Sequence, residues 1–145
     1  MQKSPAVSTA APDPTQAFME DAYLAFAKLD IDAIAAMFAE EVVFHVAGRH
    51  PLAGDYRGPD EVLGYFAAVL STTGGKGGFT VRSLMSDGEL GIALVDGTAH
   101  DRDRAFTRPI VHVFRVVEHQ LVEFWDNPFD QFGEDEFWTT AGGTS

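Results

Sequence analysis

Two hydrophobic periods divide this chain, one typical of helices and the other typical of strands. In the first segment, apolar side chains recur every three or four residues, at Phe18, Ala22, Ala25, Phe26 and Leu29. This spacing predicts an amphipathic helix from about Thr15 to Lys28. Asp30 is a suitable N-cap for a second helix over Ile31–Phe38, whose apolar residues again share one face.

A short strand, a bend and a third helix follow. The run Val42–Val46 is rich in β-branched residues and predicts a strand that carries His45 on its inner face. Glycines and a proline in Gly48–Gly58 predict a loop or a short, bent pair of strands. Pro59 is suited to the first turn of a helix, which the pattern extends to Thr73. The GGKGG sequence that follows lacks the phosphate-loop pattern and is interpreted as a flexible connection.

Beyond this connection the hydrophobic period changes to two. Strands are predicted at Phe79–Ser86, Leu90–His100, Ala105–Val117 and Gln120–Asn127. The short turns between them are typical of antiparallel neighbours, and Pro109 indicates an edge position or a bulge in the third of these strands. A final amphipathic piece, Phe129–Trp138, is expected to close the open end or to cover a sheet edge. Helices followed by a strand meander predict an α+β fold with the helices on one face.

Composition places these elements in a single domain. The chain has 145 residues, of which 46% are hydrophobic and 12 are phenylalanine, which is enough for one core. We expect residues 1–14 to form a disordered leader, residues 15–138 the domain and residues 139–145 a flexible tail. The leader lacks the apolar region of a secretory signal, and no apolar run approaches the roughly 20 residues that span a bilayer. We therefore expect a soluble, cytoplasmic protein without membrane contacts.

Charge and cysteine content argue against several classes of function. The formal net charge of -12 repels phosphates, and no basic stripe is visible, so nucleic acid is not an expected partner. The absence of cysteine excludes disulfides, thiolate catalysis and cysteine-based zinc sites. A small neutral or cationic organic molecule remains the expected partner.

The third predicted strand carries acid–base and ionic groups on one face, because alternate residues of a strand share a face. This face is expected to carry Arg108, Ile110, His112 and Phe114. Arg108 and His112 would lie about 13 Å apart along it. Asp96 on the preceding strand is expected to approach the same region, and Phe124 shares a face with Asp126 on the last strand. Histidine can accept or donate a proton near neutral pH, and arginine is suited to bind a carboxylate or enolate oxygen.

Three segments resemble the nuclear transport factor 2-like superfamily, which includes ketosteroid isomerases, limonene epoxide hydrolases and SnoaL-type polyketide cyclases. The stretch Asp30–Gly58 resembles a helix, strand and bend of that family. The segment IVHVFRV resembles the isomerase strand whose acid donates a hydrogen bond to the substrate oxyanion, and His112 falls on that acid. The segment HVAG resembles the one that begins with the general-base carboxylate, and His45 falls on that base.

Other positions depart from these enzymes. Ala22 falls on the oxyanion-hole tyrosine of the isomerases, and Tyr23 is one position away, a rotation of about 100° on a helix. The Asp-Arg-Asp arrangement of the epoxide hydrolases is not reproduced, because the residue two positions after Arg108 is Ile110 and not an acid. The resemblance extends over roughly residues 15–138 and is greatest to the varied SnoaL-like group.

The resemblance implies a fold, an assembly and a function. The fold is a cone, with a curved antiparallel sheet wrapped around three N-terminal helices and an interior apolar pocket. Homodimers would form through the outer sheet face, here Thr107, Val111 and Val113. The implied function is a cofactor-independent enzyme that isomerises or cyclises a small apolar carbonyl compound by general acid–base catalysis. The candidate catalytic residues are His45, His112 and Asp126. The candidate substrate contacts are Arg108, Asp96, Phe114, Phe124 and Tyr23.

Three alternatives remain open from the residues alone. The same pocket could sequester a hydrophobic ligand or mediate protein assembly without catalysis. Each candidate residue could instead have a purely structural role, such as an ion pair between Arg108 and Asp96 or Asp126. A metal set of His45, His112 and an aspartate is chemically suitable, but no characteristic spacing supports it, and we expect no metal.

Overall fold

The computed structural model describes residues 13–141, so most of the predicted leader and tail lies outside the described residues. Within that range the chain forms four helices and six strands. The helices are α1 (Pro14–Ala27), α2 (Ile31–Ala36), α3 (Gly58–Thr73) and α4 (Gln131–Thr140). The strands are β1 (Phe38–Val46), β2 (Gly54–Arg57), β3 (Gly77–Ser86), β4 (Leu90–Asp101), β5 (Arg104–Val117) and β6 (Gln120–Pro128).

The strands form one curved sheet in the order β2-β1-β6-β5-β4-β3. Neighbouring strands run antiparallel except β1 and β6, which run parallel and pair Phe44 with Phe124. The predicted α+β class is confirmed, with a mixed sheet in place of an entirely antiparallel one. The parallel pair forms because the chain passes through β2, α3 and the meander before β6 returns beside β1, and parallel neighbours require such a long connection.

The junction between α2 and β1 differs from the prediction. α2 ends at Ala36, and Phe38 already belongs to β1. Phe38 pairs with Leu121 of β6, and the Leu121 N–H donates to the Met37 carbonyl oxygen at 2.8 Å. Pairing with a strand distant in sequence therefore outweighs the local helical pattern that predicted Phe38 as the end of α2.

Pro109 lies in a central strand, so the predicted edge position is wrong. β5 pairs with β4 on one side and with β6 on the other. The ladder to β6 ends at the pair of Ile110 with Pro128, and beyond it the Pro109 carbonyl oxygen accepts a hydrogen bond from the Phe129 N–H at 3.1 Å. The missing N–H of Pro109 therefore lies at the end of this ladder, where its absence is tolerated.

The core lies between helices α1–α3 and the inner face of the sheet. Burial alternates along β4 and β5, and the inner face of β5 carries Arg108, Ile110, His112 and Phe114, as predicted. Phenylalanines from α1, β1, β5 and β6 dominate the packing, namely Phe18, Phe38, Phe44, Phe114 and Phe124. Thr107, Val111 and Val113 lie on the outer face, and the homodimer through that face stays a prediction.

The final amphipathic piece forms α4. Its Phe137 and Trp138 are buried in a second cluster with Ala99 of β4, and Phe106 of β5 packs against it. None of the helices in residues 13–141 is both long and apolar enough to cross a membrane.

Gly91→Ala should destabilise the protein by about 1 to 3 kcal/mol in chemical unfolding, because overpacking strains a filled core. A Cβ at Gly91, on the inner face of β4, would overlap the sulfur of Met19, which is fully buried in the core. Gly64→Ala is the matched control. Gly64 lies within α3 with open space around the added methyl group, so alanine should stabilise the helix by about 0.5 to 1 kcal/mol.

Candidate active site

Two neighbouring cavities lie between the helices and the inner face of the sheet. We call them the inner cavity, with a volume of about 100 Å³, and the outer cavity, with a volume of about 300 Å³. The two cavities share the side chains of Tyr23, Phe26, Val69 and Phe79 as walls. Phe79 is 37% exposed, so the shared wall extends to the protein surface.

The inner cavity is lined mainly by aromatic and aliphatic side chains, including Phe114 and Phe124. Its polar lining consists of Tyr23, Tyr65, His112 and Asp126. A few polar groups converging in an apolar concavity are typical of small-molecule sites. The structure therefore brings together five of the residues predicted for the site, and their roles stay predictions.

His112 is held as a neutral imidazole inside this cavity. The side chain is buried, and its Nδ1 lies 2.6 Å from the Tyr23 hydroxyl oxygen. Burial, assisted by the positive charge of Arg108, lowers the pKa of His112 to about 3. Burial and the nearby Asp126 charge raise the pKa of Tyr23 well above its usual range, so the phenol keeps its proton. The Tyr23 O–H then donates to Nδ1, which places the ring proton on Nε2.

Asp126 faces His112 from the neighbouring strand. The two residues are paired in the β5–β6 ladder, and Asp126 Oδ1 lies 3.7 Å from His112 Nε2. Neither atom has a hydrogen-bond partner among the residues that the structure describes. Burial chiefly raises the pKa of Asp126 to about 7, and the Glu134 charge adds to this effect while Arg108 opposes it. Both protonation states of Asp126 are therefore populated near neutral pH.

The spacing of these two atoms suits a carbonyl compound. A carbonyl oxygen and the carbon next to the carbonyl group are about 2.4 Å apart, as the bond lengths and angle require. An oxygen that accepts a hydrogen bond from His112 Nε2 can therefore have its adjacent carbon close to Asp126 Oδ1, which lies 3.7 Å from that nitrogen. The pair can donate a hydrogen bond to the oxygen and exchange a proton with the carbon.

Arg108 lies outside this pair, in the wall of the outer cavity. Its Nε and Nη2 donate to the two carboxylate oxygens of Glu134 at 2.8 and 2.6 Å. Glu134 also accepts a hydrogen bond from the Trp138 indole N–H at 2.8 Å. Because Glu134 and Trp138 belong to α4, this buried ion pair fixes α4 to β5. The predicted ion-pair partners Asp96 and Asp126 are replaced by Glu134.

His45 lies on the outer face of the sheet, so the prediction that it faces the interior is wrong. Its neighbours Phe44 and Val46 are buried on the inner face, and alternation directs His45 to the other side. Its Nδ1 lies 2.8 Å from Asp55, and its Nε2 lies 2.6 Å from Glu123. Partial burial lowers the pKa of His45, but the hydrogen bonds to both carboxylates outweigh it and the net pKa is raised.

Asp96 is also on the outer face and does not approach the cavities. Its carboxylate lies 3.6 Å from Arg82 of β3, and the inner side of β4 at this point is formed by Val95 and Gly97. The metal set that included His45 and His112 is excluded by their positions on opposite faces. Among residues 13–141, no group of three or more His, Cys, Asp and Glu residues is placed to hold a metal ion.

Sequence reasoning missed Glu134 and Lys76. Glu134 shares one face of α4 with Phe137 and Trp138 at positions i, i+3 and i+4, so an acidic residue within an apolar stripe was the available signal. Lys76 was interpreted as part of a flexible connection, whereas it lines the outer cavity together with the glycines on either side. No local pattern indicated that position.

Asp126→Asn should stabilise the protein more and more as the pH rises from about 4 to about 7. Over that interval the folded state retains a proton on Asp126, whose pKa is raised to about 7, while the unfolded chain has released it. The contribution of Asp126 to the wild-type free energy of unfolding therefore falls by up to about 1.4 kcal/mol per pH unit, and asparagine removes this loss. Urea unfolding at a series of pH values should show a gain of about 1 to 4 kcal/mol near pH 8 and almost none near pH 4.

Asp87→Asn is a control variant for which we expect the opposite pH dependence of the change in stability. The Leu90 and Glu89 N–H groups donate to Asp87 at 2.8 and 3.0 Å and lower its pKa. Its charged form therefore stabilises the folded state, and the variant should lose stability relative to the wild type as the pH rises. A pH-independent gain for Asp126→Asn would contradict the assignment of a buried, proton-retaining carboxyl group.

Comparison with known proteins identifies the family and the fold of this chain. A family model described as a SnoaL-like domain matches residues 16–124, and a comparison with curated proteins found no match. Bal32a, from a soil-derived mobile gene cassette, has a TM-score of 0.79 and 24% identity, with 84% of this chain and 94% of that chain covered. An NTF2-like protein of unknown function from Burkholderia pseudomallei K96243 has a TM-score of 0.77 and 23% identity, covering 86% and 96%.

A third similar structure is that of TerC co-crystallised with polyporic acid, with a TM-score of 0.77 and 18% identity, covering 86% of this chain and 97% of that chain. At these identities the solved structures show a shared fold, which is the NTF2-like fold. The family model covers more than half of the chain. The protein therefore belongs to the SnoaL-like domain family and has the NTF2-like fold.

Proposed function

We propose that this protein is a cofactor-independent enzyme that isomerises or cyclises a small, largely apolar carbonyl compound by general acid–base catalysis. The observation that carries the proposal is the buried pair of His112 Nε2 and Asp126 Oδ1, which lie 3.7 Å apart without hydrogen-bond partners among the described residues. Perturbed titratable groups that converge in a concave, apolar site are characteristic of catalytic centres.

Asp126 is the proposed proton carrier. Its carboxylate takes a proton from the carbon next to the substrate carbonyl, and the electrons of the broken C–H bond form the double bond of an enolate. If the substrate is a β,γ-unsaturated carbonyl compound, this enolate is conjugated with the remaining C=C bond. The resulting carboxylic acid then returns the proton to the far carbon of that bond, which moves the double bond into conjugation with the carbonyl group and completes an isomerisation. In a cyclisation, the enolate carbon attacks a second carbonyl group of the same molecule, and the acid protonates the alkoxide formed. A pKa raised to about 7 suits both halves of this cycle.

His112 and Tyr23 are the proposed stabilisers of the enolate oxygen. With its pKa lowered to about 3, His112 acts as a neutral hydrogen-bond donor through Nε2–H. The Tyr23 hydroxyl, 2.6 Å from Nδ1, fixes the tautomer and ring orientation and polarises the donor. A preorganised donor in a site that excludes water stabilises developing negative charge strongly.

The cavities indicate the size of the substrate. An apolar cavity of about 150 Å³ accommodates benzene, whereas the inner cavity measures about 100 Å³. A cyclic substrate would therefore extend beyond the inner cavity, and we propose that it reaches past the shared wall into the outer cavity, of about 300 Å³. The co-crystal of the similar protein TerC with polyporic acid supports the compatibility of this fold with organic ligands.

The alternative is a non-catalytic binding module of the same fold. The predominantly apolar lining of the inner cavity favours tight binding of a hydrophobic ligand without turnover. The two proposals differ in one respect: a binding module requires the shape of the cavity but does not require the titration of Asp126.

Proton abstraction should be visible as deuterium exchange. In D2O, the wild type should exchange the protons next to the carbonyl group of cyclic ketones such as tetralones, as followed by NMR. The rate should increase with pH through about 7, because the carboxylate form of Asp126, with its raised pKa, is the reactive one. Asp126→Asn should lower the exchange rate by at least about 100-fold, as loss of a general base does, while ketone affinity changes little.

His45→Gln and Asp96→Asn are the matched controls, because both residues lie on the outer face, and they should exchange ketone protons at the wild-type rate. Ketone binding without exchange in the wild type would favour the binding module. Exchange that survives in Asp126→Asn would assign the proton transfer to another group and overturn the mechanism.

A further inference from the structure

The outer cavity differs in charge from the rest of the protein. The chain carries a formal net charge of -12, yet the described residues that line this cavity include two cations, Arg108 and Lys76, and no aspartate or glutamate. A cationic lining within an acidic protein favours an anionic group of a ligand at this position, and the surrounding negative charge opposes its binding elsewhere. The expectation of a neutral or cationic ligand, drawn from net charge, does not apply inside the outer cavity.

Arg108 has donor capacity left for a ligand. Its Nε and Nη2 are occupied by Glu134, whereas Nη1 makes no side-chain hydrogen bond with any residue in the described range. The guanidinium is also fixed over the Phe106 ring, with its Cζ 5.0 Å from the ring centroid. A planar guanidinium has five N–H donors, so the bidentate bond to Glu134 positions the group without exhausting it.

An ionised oxygen acid is the ligand group that fits this arrangement. Charge-assisted hydrogen bonds from guanidinium to carboxylate are about twice as strong as neutral ones. Glu134 cancels much of the positive charge of Arg108, and the exposed Lys76 at the rim of the cavity supplies the additional positive charge. A Cβ at Gly77, the residue after Lys76, would overlap the Thr98 carbonyl oxygen, so the close approach of this segment to β4 requires glycine.

We infer that the substrate is an oxo acid, in which an apolar body separates the reacting carbonyl group from a carboxylate that binds Arg108 and Lys76. This inference rests on the proposed function for the position of the carbonyl group beside His112. Arg108 and His112 lie four residues apart on the inner face of β5, which corresponds to about 13 Å between their backbones. Tyr23, Phe26, Val69 and Phe79 form the shared wall between the two positions and would contact the apolar body.

Matched ligands test the carboxylate directly. Tetralones that carry an alkanoic acid chain, with the chain lengthened stepwise, should be compared with their neutral methyl amides by calorimetry. At the best length the acid should bind the wild type about 10-fold or more tightly than the amide. The preference should decline as salt is added, because part of the attraction is electrostatic.

Variants of the ion pair give the inference its sharpest test. Glu134→Gln leaves Arg108 without its counter-charge and should increase the preference for the acid about threefold or more. The double variant Arg108→Gln, Glu134→Gln removes both charges, avoids an unpaired buried ion, and should reduce the preference to the small part that Lys76 supplies, while amide affinity changes little. Lys76→Ala should reduce the preference by a smaller factor. Lys28→Ala is the control, because Lys28 does not line either cavity, and should leave the preference unchanged.

Equal binding of acid and amide by the wild type, or an acid preference that the double variant leaves undiminished, overturns the oxo-acid inference. Deuterium exchange of the neutral amide reports separately on the proposed function. If the amide exchanges its protons but the acid shows no advantage, the oxo-acid inference alone fails. If neither the acid nor the amide exchanges its protons, the proposed function fails together with it.

Discussion

The structure depends on burying the inner face of β5, which carries two strongly polar side chains among apolar ones. A buried polar group must find hydrogen-bond partners, or the fold loses several kcal/mol. Arg108 finds Glu134 on α4, and His112 finds Tyr23 on α1. These two contacts determine where the first and last helices lie against the sheet, and thereby the shape of the space between them. The packing of the helices and the polarity of the cavities are consequences of the same requirement.

Burial in the inner cavity lowers the pKa of His112 and raises the pKa of Asp126. The two shifts have opposite effects on how the stability of the fold depends on pH. Burial keeps His112 neutral, so folding becomes less favourable as the pH falls below about 6.5, where the unfolded imidazole gains a proton. Burial keeps Asp126 protonated, so folding becomes less favourable as the pH rises toward 7. Between about pH 4 and 6.5 the two dependences offset each other. The protein can therefore hold a reactive pair of groups without strong pH sensitivity of its fold in that interval.

Local patterns predicted the elements of the sheet well and the contacts between distant elements poorly. The period of two along β5 was sufficient to place Arg108 and His112 on the inner face. The same rule, applied to Phe44 and Val46, places His45 outside, which is the opposite of the predicted inner position. Burial of two large apolar side chains decides the orientation, since a shift of one residue would reverse every side chain of the strand. The bond between Arg108 and Glu134 connects residues 26 positions apart across a strand and a helix, and no local pattern contains that information.

The parallel pairing of β1 with β6 has a consequence for the order of folding. Phe44 and His45 pair with Phe124 and Trp125, so one side of β1 has no partner until β6, the last strand of the sheet, has been synthesised. Contacts between residues this distant in sequence are slow to form because a long loop must close first. Until then, the exposed edge and the apolar side chains of β1 are available to other chains, which favours aggregation. The last strand of the sheet therefore completes the pairing of the first one, and β1 stays unprotected until all six strands have been synthesised.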